Sequence, residues 1–366
     1  MSRTQLKAIC HKGSSSLRQK DVANDGPYAV YGAPGVIGHS STYQFEHPYL
    51  AVVKDGAGVG RVMACEAKSS VLGTMQAIKP NDGVDLYYLQ HLLKAMNLSS
   101  YYTGATIPHI YFKDYGNASV SLPSLSEQKA IAAVFRRHGQ LVEQYERMLE
   151  MLDELVKSRF IEMFGDVFGR PEGIGEAELQ DIAEVGSSRR VFKNELLEDG
   201  VPFYRGTEIS ALSCDGRVTP SLFISKEHYK RLIAASGKPE VGDLLLPSIC
   251  PDGQIWCVNT NEPFYFKDGR VLWVRPDRKI VNSVFLRYAL GIQFVDNFEQ
   301  VASGTTFAEM KIFLLKAMKV PIAPMELQEQ FASFVRQVDK LEFEAQQAID
   351  KLQTLYDSLA QEYFGD

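Results

Sequence analysis

The sequence repeats itself, and that limits its folds more than any other feature. Leu6-Lys-Ala-Ile9-Cys-His-Lys-Gly13-Ser14-Ser15 returns as Leu179-Gln-Asp-Ile182-Ala-Glu-Val-Gly186-Ser187-Ser188, so the pattern L-x-x-I-x-x-x-G-S-S recurs 173 residues on. Further echoes keep the same order. Asp25…Gly32 matches Asp199…Gly206, Asp55-Gly56 matches Asp252-Gly253, and Gly104-Ala-Thr106 matches Gly304-Thr-Thr306. Leu125-Ser-Glu-Gln128 matches Leu327-Gln-Glu-Gln330, and Phe164-Gly-Asp166 matches Phe364-Gly-Asp366. The offset widens from 174 to 197, which places roughly 23 extra residues between Gly206 and Asp252 in the second copy. Two copies of one unit, about 1–166 and 167–366, are too few for a long solenoid.

Each copy has a strand-like part followed by a helical part. Tyr49–Val53, Leu244–Leu246 and Val271–Val274 are short apolar runs bounded by Gly, Asp and Pro, as expected of strands. Leu86–Leu93 and Val284–Leu290 carry helical patterns. The last part of each copy follows a seam spaced in fours and threes, at 134, 138, 141, 145, 148, 152 and 155 and again 200 residues later, apolar except for His138, which is expected to be a polar register residue or a capped helix end. That spacing predicts a coiled-coil seam built from Leu141, Leu152 and Leu155 against Leu341, Leu352 and Leu355. Pro123 and Pro324 stand ahead of the helices, Gly165 and Gly365 end them, and Gly139 is expected to break the first. A helix with one apolar face needs a partner, and the nearest is its own repeat, running antiparallel. The expected class is α+β: two similar mixed α/β domains, 1–123 and 167–324, separated by a pair of long antiparallel helices in 124–166 and 325–366, related by a pseudo-two-fold.

Charge follows the same division. The whole chain carries 39 Lys+Arg and 45 Asp+Glu, net -6. The two helical regions account for -8 and the two globules for +2. The acid therefore sits on the spacer, and the globules are left free to meet a polyanion.

A globule ending in Leu122-Pro-Ser-Leu-Ser-Glu-Gln128, a long amphipathic helix, and then both again resembles the specificity subunit of type I restriction-modification enzymes, over essentially the whole chain. The resemblance implies two target-recognition domains, each reading one half of an asymmetric bipartite site in double-stranded DNA. It implies spacer helices that dock two methyltransferase subunits, with restriction subunits beyond them. S-adenosylmethionine, ATP and Mg then belong to those partners, and this chain holds no cofactor and no metal. The alternative is a coiled-coil protein-interaction scaffold without sequence-specific DNA binding.

No methyltransferase Asn-Pro-Pro-Tyr, no phosphate-binding Gly-Lys-Ser/Thr loop and no metal-ligand spacing of His or Cys occurs, so no catalytic site is expected. Gly56-Ala-Gly58-Val-Gly60 is followed by a strand rather than a helix, which favours a tight turn over a dinucleotide fingerprint. The five cysteines lack paired spacing, and no apolar run is long enough to cross a membrane, so a cytoplasmic protein is expected. DNA contacts are expected in the turns of the globules: Lys12, Ser14, Ser15, Ser16 and Arg18 in the first, and Ser187, Ser188, Arg189 and Arg190 in the second. Tyr31, Lys54, Arg205, Thr207, Thr106 and Thr306 complete the candidates. Hydroxyls suit phosphates, and arginine suits guanine edges.

Overall fold

The structure is a computed structural model that describes residues 2–56, 58–102, 108–165, 169, 171–249, 253–303 and 309–365. It divides into two compact units, Met1–Arg147 with Ala345–Asp366, and Met148–Glu344. Each long helix, Leu125–Phe164 and Met325–Phe364, contributes one part to each unit.

In the first unit an antiparallel four-stranded sheet runs in the order Cys10–Gly13, Met75–Pro80, Tyr49–Val53, Val62–Cys65. All five residues of Tyr49–Val53 are buried because both faces of the sheet are covered. Leu50 and Val52 point with Ile78 toward helix Leu86–Ala95 and the long helices. Tyr49, Ala51 and Val53 point the other way, toward a three-stranded sheet of Gly35–Ser40, Tyr28–Gly32 and Ser70–Val71. Strand Ser2–Gln5 pairs with Ser119–Leu122 and ties the start of the globule to the threshold of the first long helix.

The second unit repeats this plan. Its four-stranded sheet is Ala183–Ser187, Val271–Pro276, Leu244–Pro247, Trp256–Cys257, and its three-stranded sheet is Phe223–Ile224, Val201–Tyr204, Tyr265–Phe266. Gly175–Glu178 pairs with Lys319–Ile322. The extra residues of the second copy form helices Gly206–Asp215 and Lys226–Ser236. The strand register also corrects one alignment. Tyr31 pairs with Val71 and Tyr204 with Phe266 at equivalent places, so the counterpart of Tyr31 is Tyr204, and that of Arg205 is Gly32.

The first long helix starts with a capping box. Ser124 N–H donates to Glu127 Oε2 at 2.8 Å, and Glu127 N–H donates back to Ser124 Oγ at 3.4 Å. Gly165, at φ 77°, closes it with a bond to the Ile161 carbonyl. Gly139 does not interrupt the helix: packing at Phe135 and His138 outweighs the ~1 kcal/mol that glycine costs a helix interior.

The seam is displaced from the predicted one. Leu152 is buried and Leu141 and Leu352 are half-buried, but Leu155, Leu341 and Leu355 are 47–48% exposed. The packed face instead runs through Ile131, Phe135 and His138, and through Leu152, Val156 and Phe160. Each helix faces its globule as well as its partner, which turns it toward Phe135 and Val156, next to the expected 134 and 155. Within the first unit Phe135 stacks on Phe364, and His138 Nε2 lies 2.7 Å from the Leu352 carbonyl. Within the second, Phe160 and Phe164 meet Phe331 edge-on. The helices are thus antiparallel within each unit. His138 supplies an inter-helix hydrogen bond, the register role expected of a polar seam residue.

Candidate nucleic-acid interface

In each globule the segments singled out by sequence converge on one turn. In the first the turn is Leu72–Thr74, between strands Ser70–Val71 and Met75–Pro80. Ser15 Oγ donates to the Val71 carbonyl at 2.5 Å and accepts from Gln44 and from the Leu17 N–H. Gly73 N–H donates to the Leu17 carbonyl at 2.7 Å, and Lys54 N–H donates to the Thr74 carbonyl at 3.1 Å. Lys12, Ser14, Ser16 and Arg18 are exposed around it, and Arg18 is forked onto Asp21 at 2.8 and 3.1 Å. Lys54 is half-buried, and its carbonyl accepts from Ile110 N–H. Beside it His109 Nδ1 and Asp55 Oδ1 lie 2.7 Å apart.

The second globule builds the same knot on the turn 267–270. Ser188 Oγ donates to the Phe266 carbonyl at 2.6 Å, the equivalent of the Ser15–Val71 bond. Ser187 Oγ donates to the Val271 carbonyl at 2.7 Å and accepts from Gly269 N–H at 2.9 Å. Arg189 and Arg190 are exposed, and Arg190 reaches Asp268 at 3.2 Å. Ser248 N–H donates to the Arg270 carbonyl, as Lys54 does to Thr74. Arg205 is paired with the buried Glu208, and Thr207 Oγ1 donates to the same carboxylate. Burial would raise that carboxyl, but the hydrogen bonds from Arg205 and Thr207 outweigh it and hold it at about 2.

Four candidates change role. Tyr31 is 8% exposed and belongs to the core, its hydroxyl accepting from Glu66 N–H, so it is removed from direct contact. It was expected among the turns of the globule, but the parallel pairing to Val71 puts it in a covered strand. Ser15, Ser187 and Ser188 spend their hydroxyls on the turn and support the loops. Thr106 and Thr306 lie outside the described residues.

Sequence reasoning missed Arg270, Glu309 and Lys311. Glu309 Oε1 accepts from Arg270 Nη1 and Ser248 Oγ, both at 3.1 Å, and its other oxygen accepts from Lys311 at 3.2 Å. The available signal was Gly73…Pro80 echoed by Gly269…Pro276, which sets Arg270 beside Thr74. Around the second turn the exposed cations Arg189, Arg190, Lys267 and Arg270 outnumber the carboxylates, although the globule as a whole is near neutral.

Among the described residues no group of His, Cys, Asp and Glu could hold a metal ion. Cys10, Cys65, Cys214 and Cys257 are unbridged. Gly58 and Gly60, at φ 86° and 89°, sit in the turn between strands Tyr49–Val53 and Val62–Cys65, as the strand-like sequence after them implied. No helix among the described residues is long and apolar enough to cross a membrane.

A duplicated mixed globule with loops gathered on one turn, each followed by a long helix, defines a paired recognition module. The chain belongs to the family described as the type I restriction modification DNA specificity domain, whose pattern matches residues 3–151 and again 171–354. It is similar to the type I restriction enzyme MjaVIII specificity subunit of Methanocaldococcus jannaschii, 23% identical over 324 residues, covering 80% of this chain and 72% of that one. The fold resembles the crystal structure of a type I restriction-modification S subunit from M. genitalium, with TM-score 0.60, 17% identity, and coverage of 100% of this chain and 96% of that one. A chain from a structure concerned with complex assembly and conformational transition of the type I R-M system matches equally, with TM-score 0.60, 15% identity, and coverage of 99% and 97%.

Proposed function

We propose that this chain is the non-catalytic DNA-reading subunit of a type I restriction-modification complex in the cytoplasm. It binds an asymmetric bipartite site in double-stranded DNA, one half per globule. It recruits two methyltransferase subunits that bring S-adenosylmethionine, and restriction subunits that bring ATP and Mg. The observation that supports this reading is the gathering of the equivalent polar loops on one turn in each globule, at Leu72–Thr74 and at 267–270, with the exposed cations Arg189, Arg190, Lys267 and Arg270 around the second. Exposed cations on fixed loops suit phosphates and base edges together. The decisive experiment is methylome sequencing of the host with and without the gene. A gapped motif carrying methylated adenine disappears on deletion. If the methylated motifs stay the same, the proposal fails.

A further inference from the structure

Arg205 differs from the other cations of the second globule in how it is held. Its Nε and Nη2 donate to the two oxygens of Glu208 at 3.1 and 2.6 Å. Glu208 is itself 7% exposed and is anchored by Arg205 N–H at 2.9 Å and Thr207 Oγ1 at 3.0 Å. The carboxylate thus grips the side edge of the guanidinium. The end edge, with Nη1, has no hydrogen-bond partner among the described residues, and the side chain is 43% exposed. A planar fork fixed in this way loses little conformational freedom when it binds, unlike a free surface arginine. The backbone places it at the site: a Cβ built on Gly206 lies 3.8 Å from the Arg270 carbonyl of the central turn.

A guanidinium only donates. The major-groove edge that offers two adjacent acceptors to such a fork is that of guanine, through N7 and O6. We infer that Arg205 is a specificity-determining residue that reads a guanine in the half-site of the second globule, with Glu208 as its positioning residue. The assignment rests on the DNA-reading function proposed above. It is confined to one half of the site because the counterpart of Arg205 in the first globule is Gly32.

The test uses the full chain co-expressed with its methyltransferase subunits and selection from randomised duplexes over a salt series. Wild type is compared with Arg205→Ala, Arg205→Lys and Glu208→Gln. Both Arg205 variants lose preference for one guanine in one half-site by roughly 5- to 100-fold, and the other half is unchanged. Glu208→Gln loses part of the same preference, and 7-deazaguanine at that position weakens wild type but not Arg205→Ala. Arg205→Lys keeps the charge, so it reports even if the alanine variant folds poorly. Uniform weakening with the base preference intact and a salt slope reduced by about one marks a phosphate contact and overturns the assignment. An unchanged preference overturns it as well. A wild type that selects no sequence sinks the DNA-reading function and this assignment together, whereas a selective wild type with an equally selective Arg205→Ala sinks the assignment alone.

Discussion

Gln128 bolts the threshold of the first long helix to Asp85, its side-chain oxygen accepting the Asp85 N–H at 2.8 Å. Its amide returns bonds to the Pro123 and Gly83 carbonyls at 2.9 and 3.2 Å, and the residue is 1% exposed. Asp85 in turn caps helix Leu86–Ala95. Gln328 repeats the device with Asn282 N–H at 2.7 Å and the Ala323 and Ile280 carbonyls. Replacing Gln128 with Leu keeps the volume but leaves the Asp85 N–H and the Pro123 and Gly83 carbonyls without these bonds, and the buried Pro123 carbonyl alone is worth roughly 1–3 kcal/mol. Urea unfolding of Gln128→Leu is expected to show a loss of that order, and Gln328→Leu a similar one.

The same pair shows where sequence reasoning reaches and where it stops. The Glu-Gln motif at the helix entrance was visible, but aligning it by its two letters matched Gln128 to Gln330. The structure pairs it with Gln328, because the role is set by the bond to a cap residue and not by the preceding Glu. The helices themselves were legible from period and punctuation. Their inward face was not, because Val134 and Phe135, or Leu155 and Val156, are adjacent apolar residues and only the three-dimensional surroundings choose between them. The loops that gather on the two turns were legible through the repeated Gly-Ser-Ser. Arg270 and Glu309 were not, since an isolated Arg and Glu carry no pattern until the chain brings them together.

His91 makes the first unit sensitive to acid. Its ring stacks on Phe135 at 4.6 Å, and burial, with Lys94 and His138 nearby, lowers its pKa to about 4. The folded state thus refuses a proton that the unfolded chain accepts at about 6.5. Stability from this group is complete above that value and declines as pH falls from about 6.5 toward 4, with a slope of at most about 1.4 kcal/mol per pH unit. His91→Phe retains the stacking and removes the titration. Its urea midpoint should change less between pH 7 and pH 4.5 than that of wild type.

Gly60 and Gly56 separate strain from crowding. Both have positive φ, 89° and 84°. A Cβ on Gly60 would lie 2.6 Å from the Ser99 amide nitrogen, whereas one on Gly56 meets nothing within 4 Å among the described residues. Gly56→Ala is expected to cost about 1–2 kcal/mol, the backbone penalty alone. Gly60→Ala should cost clearly more, because the atom it meets is backbone and cannot swing away. Denaturant midpoints of the two variants rank them.

Ser188 and its neighbours Arg189 and Arg190 should separate support from contact. Ser188 Oγ is committed to the Phe266 carbonyl, so Ser188→Ala loses about 1 kcal/mol of stability and loosens the loop that carries the arginines. Its effect on DNA should appear as weaker discrimination in one half-site, with the salt dependence unchanged. Arg189 and Arg190 are exposed, and Arg190 makes a surface pair with Asp268 worth little in water. Removing both charges should leave thermal stability within about 0.5 kcal/mol. It should weaken binding across all sequences and flatten the log–log salt slope by about two if both touch phosphates. Fluorescence anisotropy of the assembled complex from 50 to 200 mM salt measures that slope. An unaltered slope in Arg189→Ala/Arg190→Ala would place the phosphate contacts elsewhere on the turn, with Lys267 and Arg270 the next positions to change.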